Sequence, residues 1–184
     1  MKRAFDILIS SILILVLLPV LLVVAIAILV NSGSPVLFGQ IRVGKGGGEF
    51  KLLKFRSMVV DAENLGSYST STNDPRITGV GRFIRRTSLD ELPQLLNVLA
   101  GDMSLVGPRP DVPLQKSGYT EDDWNLRISV RPGITGLAQA TLRSAATVDE
   151  RLALDLDYVH TNGLMRDIAI LLKTAIQLLR KGGN

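Results

Sequence analysis

Apolar positions are spread very unevenly along this chain. Residues 7–30 are apolar except for Ser10, Ser11 and Pro19, and no Asp, Glu, Lys or Arg occurs between Asp6 and Arg42. A straight helix of that length would measure ~36 Å, enough to cross a ~30 Å hydrocarbon core. The stretch is too long for a signal-peptide core, and its one small-x-small site, Ala25-Ile26-Ala27, lies inside it. Pro19 sits near the middle, where it removes a helical donor and crowds the preceding turn. Each half would then reach only ~18 Å, too short to span alone. Lys2 and Arg3 precede the segment, while Arg42, Lys45, Lys51, Lys54 and Arg56 follow it with only Glu49 opposing. Basic flanks favour the cytoplasmic side, and here both flanks are basic. These features leave a crossing helix and a re-entrant dip both open.

Beyond the loop at residues 31–35 the periodicity changes. Residues 36–43 and 50–55 read as strands of a hairpin around Gly44-Lys45-Gly46-Gly47-Gly48, which lacks the spacing of a Walker phosphate loop. Residues 61–74 are polar and turn-rich. Ser88-Leu89-Asp90-Glu91-Leu92-Pro93-Gln94 opens a helix to about Leu99, with Leu92, Leu95, Leu96 and Leu99 on one face and Gly101 as its stop. Residues 103–106 read as a brief strand and 120–129 as a short amphipathic helix holding Trp124. Helices are expected over 148–158 and about 164–180, the last with a stripe of Ile168, Leu171, Leu172, Ala175 and Leu179. The fold class is therefore α+β and mainly helical. Residues 1–35 form a membrane helix and loop, and 36–184 form one compact domain with amphipathic helices and a small hairpin.

Charge narrows the chemistry. The net charge of +4 favours anionic partners, but the chain has no long basic run and few aromatics, so nucleic acid is excluded as a partner. Cysteine is absent and His160 is the one histidine, which removes disulfides and thiolate or histidine metal cages. A lone histidine reads as structural, and Trp124 as core or an interface anchor.

Asp90 and Glu91 are the sharpest feature. Ser88 followed three residues later by Glu91 has the spacing of a capping box, with Asp90 complementing the helix dipole. The same geometry suits a phosphate site, where a carboxylate attacks phosphorus or holds magnesium. Lys54, Arg56, Arg82, Arg85, Arg86, Arg109 and Arg131 lie in or beside tight segments, including Gly107-Pro108-Arg109-Pro110 and Arg131-Pro132-Gly133-Ile134-Thr135-Gly136. Gathered around one acidic pair, they would suit a nucleotide diphosphate.

These motifs, with Phe38-Gly39-Gln40-Ile41-Arg42-Val43-Gly44, Lys54-Phe55-Arg56-Ser57-Met58, Asn73-Asp74-Pro75-Arg76-Ile77-Thr78 and Gly101-Asp102-Met103-Ser104, resemble the bacterial sugar transferases. They are most similar to the small monotopic phosphoglycosyl transferases, in one order over residues 2–181. The resemblance implies transfer of a sugar-1-phosphate from a UDP-sugar to polyprenol (undecaprenyl) phosphate, with release of UMP. By that match Asp90 is the nucleophile and a ligand of Mg2+, and Glu91 supports the second half-reaction. Lys54, Arg56, Arg109 and Arg131 would contact phosphate and nucleotide, with Arg85 or Arg86 also in reach and Pro108 and Pro110 aiming Arg109. The resemblance further implies a re-entrant helix broken near Pro19, a catalytic domain on the cytoplasmic face of the bacterial inner membrane, and the minimal form without extra transmembrane helices. Leu18 stands where the family usually has Ser. Leu137 and Thr141-Leu142 replace a usual aromatic and Asn-Gly pair of the sugar-binding region. Membrane lipids are expected partners, and a homodimer is left open. A glycosyltransferase releasing UDP and a non-catalytic assembly factor are the alternatives.

Overall fold

A computed structural model describes residues 1–62, 64–65, 74–142 and 147–181. Most of the polar stretch expected over 61–74 lies outside them.

The first helix, α1, runs from Lys2 to Ser32 and is long and apolar enough to cross a membrane. The expected break near Pro19 is not found: the helix is continuous, with Pro19 inside it. A proline removes one backbone bond but has a helical φ, so a helix held at both ends can run through it. Both ends of α1 are held by the same domain. At the start, Arg3 donates to the carbonyls of Val98 (2.6 Å) and Leu99 (3.1 Å). Buried Asp6 accepts from the Ser104 hydroxyl at 2.9 Å and the Leu105 N–H at 3.2 Å. Lys2 pairs with buried Asp167, whose carboxylate also lies 2.7 Å from the Tyr158 hydroxyl. Lys2 and Arg3, read from sequence as a topology signal, are thus also structural bolts. At the far end, Arg56 donates to the Ser32 and Gly33 carbonyls, both at 2.7 Å. Between the ends, Leu15, Val16, Leu18 and Val20 are exposed.

Strands β1 (Leu37–Val43) and β2 (Glu49–Phe55) form the expected antiparallel hairpin, with Leu37 opposite Phe55 and Val43 opposite Glu49. Alternation along β2 buries Phe50 and Leu52 and sends Lys54 to the same inner face. Helix α2 (Gly79–Arg86) starts on a Thr78 cap, and a 3₁₀ turn (Leu89–Glu91) leads into α3 (Gln94–Ala100). Buried Asn97 binds α3 to the outer edge of β2, accepting from Leu53 N–H (3.0 Å) and donating to the Lys51 carbonyl (2.9 Å).

Strand β3 (Ser104–Val106) was expected, but its partner was not. The segment Gly133–Thr135, read from sequence as part of a rigid turn, is β4 and pairs parallel with β3. Helices α4 (Glu121–Arg127), α5 (Leu137–Thr141), α6 (Val148–Thr161) and α7 (Leu164–Lys181) complete the domain. The buried face of α7 is rotated from the expected stripe: Asp167 and Ile170 are buried, while Leu172 is 61% exposed. Polar Asp167 belongs to the inner face because Lys2 and Tyr158 satisfy it.

Two apolar clusters result. One joins Phe50, Leu52, Leu95, Val98, Met103 and Ile170 with Phe5, Ile9 and Leu13 of α1. The other joins Phe55 and Ile84 with Val24 and Ile28. Each fully buried Leu, Ile or Phe contributes roughly 1.5–3 kcal/mol, so the two halves of α1 are integral to the cores. Helix α1, though long and apolar enough to cross a membrane, is also part of the domain's cores.

Candidate active site

Ser88 has a left-handed backbone (φ 57°), and its side chain caps nothing. The capping box that the spacing allowed is therefore absent. Freed from that role, the Glu91 side chain turns to cations: its Oε1 accepts from Lys54 Nζ and from an Arg109 guanidinium nitrogen, both at 2.8 Å. A non-glycine residue held at positive φ carries a conformational cost, and such residues concentrate at functional sites.

Arg109 reaches Glu91 because its backbone is clamped. Gly107 N–H donates to the Thr135 carbonyl, and Gly133 N–H to the Pro108 carbonyl, both at 2.9 Å. Arg127 donates to the Arg109 carbonyl at 2.6 Å, and Arg42 to the Pro110 carbonyl at 2.8 Å. The two Pro/Gly turns lie backbone against backbone: a Cβ on Gly133 would sit 2.1 Å from Gly107 N, and one on Gly136 would sit 2.2 Å from the Gly107 carbonyl oxygen. Arg127 is itself buried, held by Asp111 and Asp155.

The two neighbouring carboxylates differ sharply. Burial pushes Asp90 up to about 6, against the opposing pull of Lys54, Arg85 and Arg109. For Glu91 burial also pushes upward, but Arg109 and Lys54 together outweigh it and hold the group at about 2. Asp90 is 8% exposed and accepts no hydrogen bond among the described residues. Adjacent carboxyls with separated pKa values mark a division of labour. Glu91 is a fixed anion that orders two cations, and Asp90 is a carboxylate without a partner, ionised at neutral pH. Among the described residues no three His, Cys, Asp or Glu side chains gather as a metal cage.

The structure brings together Lys54, Asp90, Glu91 and Arg109, with Arg85 acting on Asp90 through its charge. It does not bring every expected residue there. Arg56 is buried at the foot of α1 on Ser32 and Gly33. Arg131 donates to the Gly101 carbonyl at 2.8 Å, at the opposite end of α3 from the acidic pair. Arg86 is exposed. Pro108 and Pro110 offer their carbonyls to the clamp described above. Trp124 is buried against Tyr119, in accord with its reading as core, whereas His160 is exposed and its side chain makes no hydrogen bond among the described residues.

A cavity of about 450 Å³ opens beside the pair, with Ser88, Glu91 and Arg109 on one wall and Leu92, Leu95, Leu105, Ile134 and Leu171 along its sides. Gln139, Arg151 and Asp155 line it as well. Sequence reasoning missed these three, and it counted Arg42 only as a flanking charge. Only the Arg151-to-Asp155 spacing, one helical turn, was available to link any of them.

The bacterial sugar transferase family model matches residues 1–181. The undecaprenyl-phosphate galactose phosphotransferase of Salmonella typhimurium is 43% identical over all of this chain, which spans 41% of that protein. The UDP-glucose:undecaprenyl-phosphate glucose-1-phosphate transferase of Caulobacter vibrioides is 43% identical over 97% of the chain and 69% of its own length. The exopolysaccharide production protein PSS of Rhizobium leguminosarum bv. phaseoli is 45% identical, covering 99% of the chain and 96% of its own length. The chain belongs to the bacterial sugar transferase family.

Proposed function

We propose that this chain is a phosphoglycosyl transferase that moves a sugar-1-phosphate from a UDP-sugar to polyprenol phosphate and releases UMP. The observation that carries the reading is the acidic pair: an unpartnered Asp90 at about 6 beside a Glu91 held near 2 by Lys54 and Arg109. The names of the Salmonella and Caulobacter relatives, each a sugar phosphotransferase acting on undecaprenyl phosphate, support the substrate classes.

In the first half-reaction an Asp90 carboxylate oxygen attacks the phosphorus that carries the sugar. The phosphoanhydride bond to the uridine phosphate breaks, and UMP leaves as the dianion. Asp90 then holds the sugar phosphate as a mixed anhydride. In the second half-reaction an oxygen of polyprenol phosphate attacks that phosphorus, the bond to Asp90 breaks, and the carboxylate is regenerated. Burial favours the attack because a weakly solvated carboxylate with a raised pKa is a better nucleophile than one in water. Lys54, Arg109 and Arg85 supply three positive charges against the two acidic side chains, a balance suited to a diphosphate. Glu91 keeps Lys54 and Arg109 aimed at the reacting phosphorus, which supports both steps.

Magnesium fits this site in a limited way. Glu91 is committed to Lys54 and Arg109, so Asp90 is the carboxylate that would hold it. Mg2+ is commonly bound through one or two carboxylates, and it would neutralise the diphosphate.

The seat of the reaction follows from α1. Docking of both its ends to one charged domain supports a shallow, re-entrant immersion, because a crossing helix would separate those ends across the bilayer. The apolar side chains exposed along α1, among them Leu8, Leu15, Val16, Val23 and Val30, would face the lipid, and the domain would rest on the cytoplasmic face of the bacterial inner membrane. The chain would act at the first membrane step of polysaccharide or glycoconjugate assembly, and the Rhizobium relative's name supports exopolysaccharide production as the setting.

The nucleotide product tests the reading. Wild-type protein mixed with UDP-sugars, polyprenol phosphate and magnesium should release UMP. Release of UDP would mean glycosyl transfer, and no release with any sugar of a broad panel would favour an assembly factor.

A further inference from the structure

Pro108, Arg109 and Pro110 form a segment that a regular helix or sheet cannot hold, because neither proline has an N–H to donate. The segment is tied down through its carbonyls instead, and each has a different donor. The Pro108 carbonyl takes the Gly133 N–H at 2.9 Å, the Pro110 carbonyl takes Arg42 at 2.8 Å, and the Arg109 carbonyl takes Nη2 of Arg127 at 2.6 Å. Arg127 is the last residue of α4 and is 7% exposed. One carboxylate would balance its charge, yet two reach it. Asp111 accepts from Nη1 on one edge of the guanidinium, and Oδ2 of Asp155 lies 3.0 Å from both Nε and Nη2 on the other. The centre of the Tyr119 ring lies 5.4 Å from the guanidinium carbon. A planar fork held at both edges and against a ring keeps little freedom, and Nη2 is thereby aimed at the Arg109 carbonyl.

The two carboxylates are not equivalent. Asp111 follows Arg109 and Pro110 in the same segment, so its grip on Arg127 moves with that segment. Asp155 comes from α6 and ties Arg127 to a separate helix. We propose that Asp155 and Arg127 are positioning residues for the transfer: Asp155 fixes the Arg127 guanidinium, Arg127 fixes the Arg109 carbonyl, and Arg109 is thereby held on Glu91 with its charge toward the reacting phosphate. The inference rests on the phosphoglycosyl transferase reading. Both residues act through Arg109, and neither touches the reacting atoms. The Arg109 side chain is 40% exposed and meets a single oxygen of Glu91 at 2.8 Å. So open a contact between long side chains does not fix its own geometry, and the direction of Arg109 is set from its backbone. Asp155 serves aim rather than neutrality, because Asp111 still balances Arg127 when Asp155 is removed.

The test is a double-mutant cycle on kcat/KM for UMP release by membrane-reconstituted protein, with UDP-sugar, polyprenol phosphate and magnesium. Asp155→Ala should lower kcat/KM by about thirtyfold, a little under the cost of misplacing a catalytic group by ~1 Å. Asp155→Asn, whose amide oxygen can replace Oδ2, should stay within about threefold of wild type. In an Arg109→Ala background, Asp155→Ala should cost no more than about twofold, because its route to the substrate is already gone. Arg127→Lys keeps a charge between the two aspartates but not the planar fork, and it should repeat both results even if Asp155→Ala fails to fold. The same loss in the Arg109→Ala background as in wild type would overturn the inference, since an independent or merely structural role is additive. Wild-type kcat/KM in either Asp155→Ala or Arg127→Lys would overturn it too. Wild-type protein that releases no UMP with any UDP-sugar of a broad panel would instead overturn the phosphotransfer reading beneath it.

Discussion

Helix α3 has a cluster of charges at each end, and the two clusters do opposite things. At its C-terminal end, Arg3 takes the Val98 and Leu99 carbonyls and Arg131 takes the Gly101 carbonyl, while the Asn97 carbonyl accepts N–H bonds from Gly101, Asp102 and Met103. That end is a satisfied cap of the kind that cations at helix C-termini provide. At the N-terminal end, Glu91 is doubly paired but its neighbour Asp90 is buried with no hydrogen bond from the described residues. A group left in that condition lowers stability and gains reactivity. The two ends teach that a count of basic motifs does not define a site: Arg109 and Arg131 sit on adjoining Pro/Gly turns, yet only Arg109 reaches the acids.

The largest expected effect separates the ends outright. Asp90→Asn should lower turnover by at least a thousandfold, as loss of a nucleophile does, while raising the unfolding midpoint. The sign follows from the pKa. Between pH 3.8 and about 6 the folded chain keeps a proton that the unfolded chain has lost, so stability declines as pH rises through that window. Above it, the ionised carboxylate costs about 3 kcal/mol, which the amide removes. Asp90→Asn with near-normal turnover would return the acidic pair to a structural role.

Glu91→Gln should come next, with a fall in kcat/KM of about a hundredfold as Lys54 and Arg109 lose their common anchor. Its stability signature is the reverse of that of Asp90. The depressed Glu91 contributes stability that is complete above pH 4.5 and lost as pH falls toward about 2. Acid-unfolding curves of wild type and Glu91→Gln should therefore converge at low pH and separate above it.

The pH profile sharpens the account of Asp90 itself. In wild type, kcat/KM should rise with pH to a plateau above about 6, reporting the free enzyme's carboxyl. Lys54→Met removes a charge that opposes burial, so the limb should move to higher pH. A limb that stays in place, or moves down, would mean that Asp90 is not the group being read.

The smallest effect on chemistry belongs to the satisfied end. Arg131→Ala should destabilise the fold by about 1–2 kcal/mol through the loss of one carbonyl partner, with kcat and the KM for UDP-sugar within about twofold of wild type. A KM raised tenfold or more would restore the nucleotide contact that the sequence implied for Arg131.

How much of this was legible in the sequence follows the range of the interactions. The hairpin, α4, α6 and the run from Leu92 into α3 were readable because alternation, helical period and turn residues are local signals. Asp90, Glu91, Lys54 and Arg109 stood out by charge density and by their place in or beside tight segments. The failures are long-range. Ser88 looked like a cap because spacing does not reveal a left-handed backbone. The face of α7 was misjudged because Asp167 is buried by Lys2, far away in sequence. Arg56 and Arg131 bind helix-end carbonyls that no local rule reveals, although Arg56 Nε and Nη1 stay buried without a partner. Gln139 and Asp155 carry no pattern at all; they became visible only as buried atoms without partners.

The central claim is that Asp90 forms the bond to phosphorus, and intact-mass measurement tests it most directly. Wild-type protein incubated with UDP-sugar and magnesium, without acceptor, should gain the mass of one sugar phosphate, located on the peptide containing Asp90 and released by polyprenol phosphate. Asp90→Asn should gain nothing. An adduct on another residue, or full turnover of the wild type through a route that leaves Asp90 unmodified, would contradict the account.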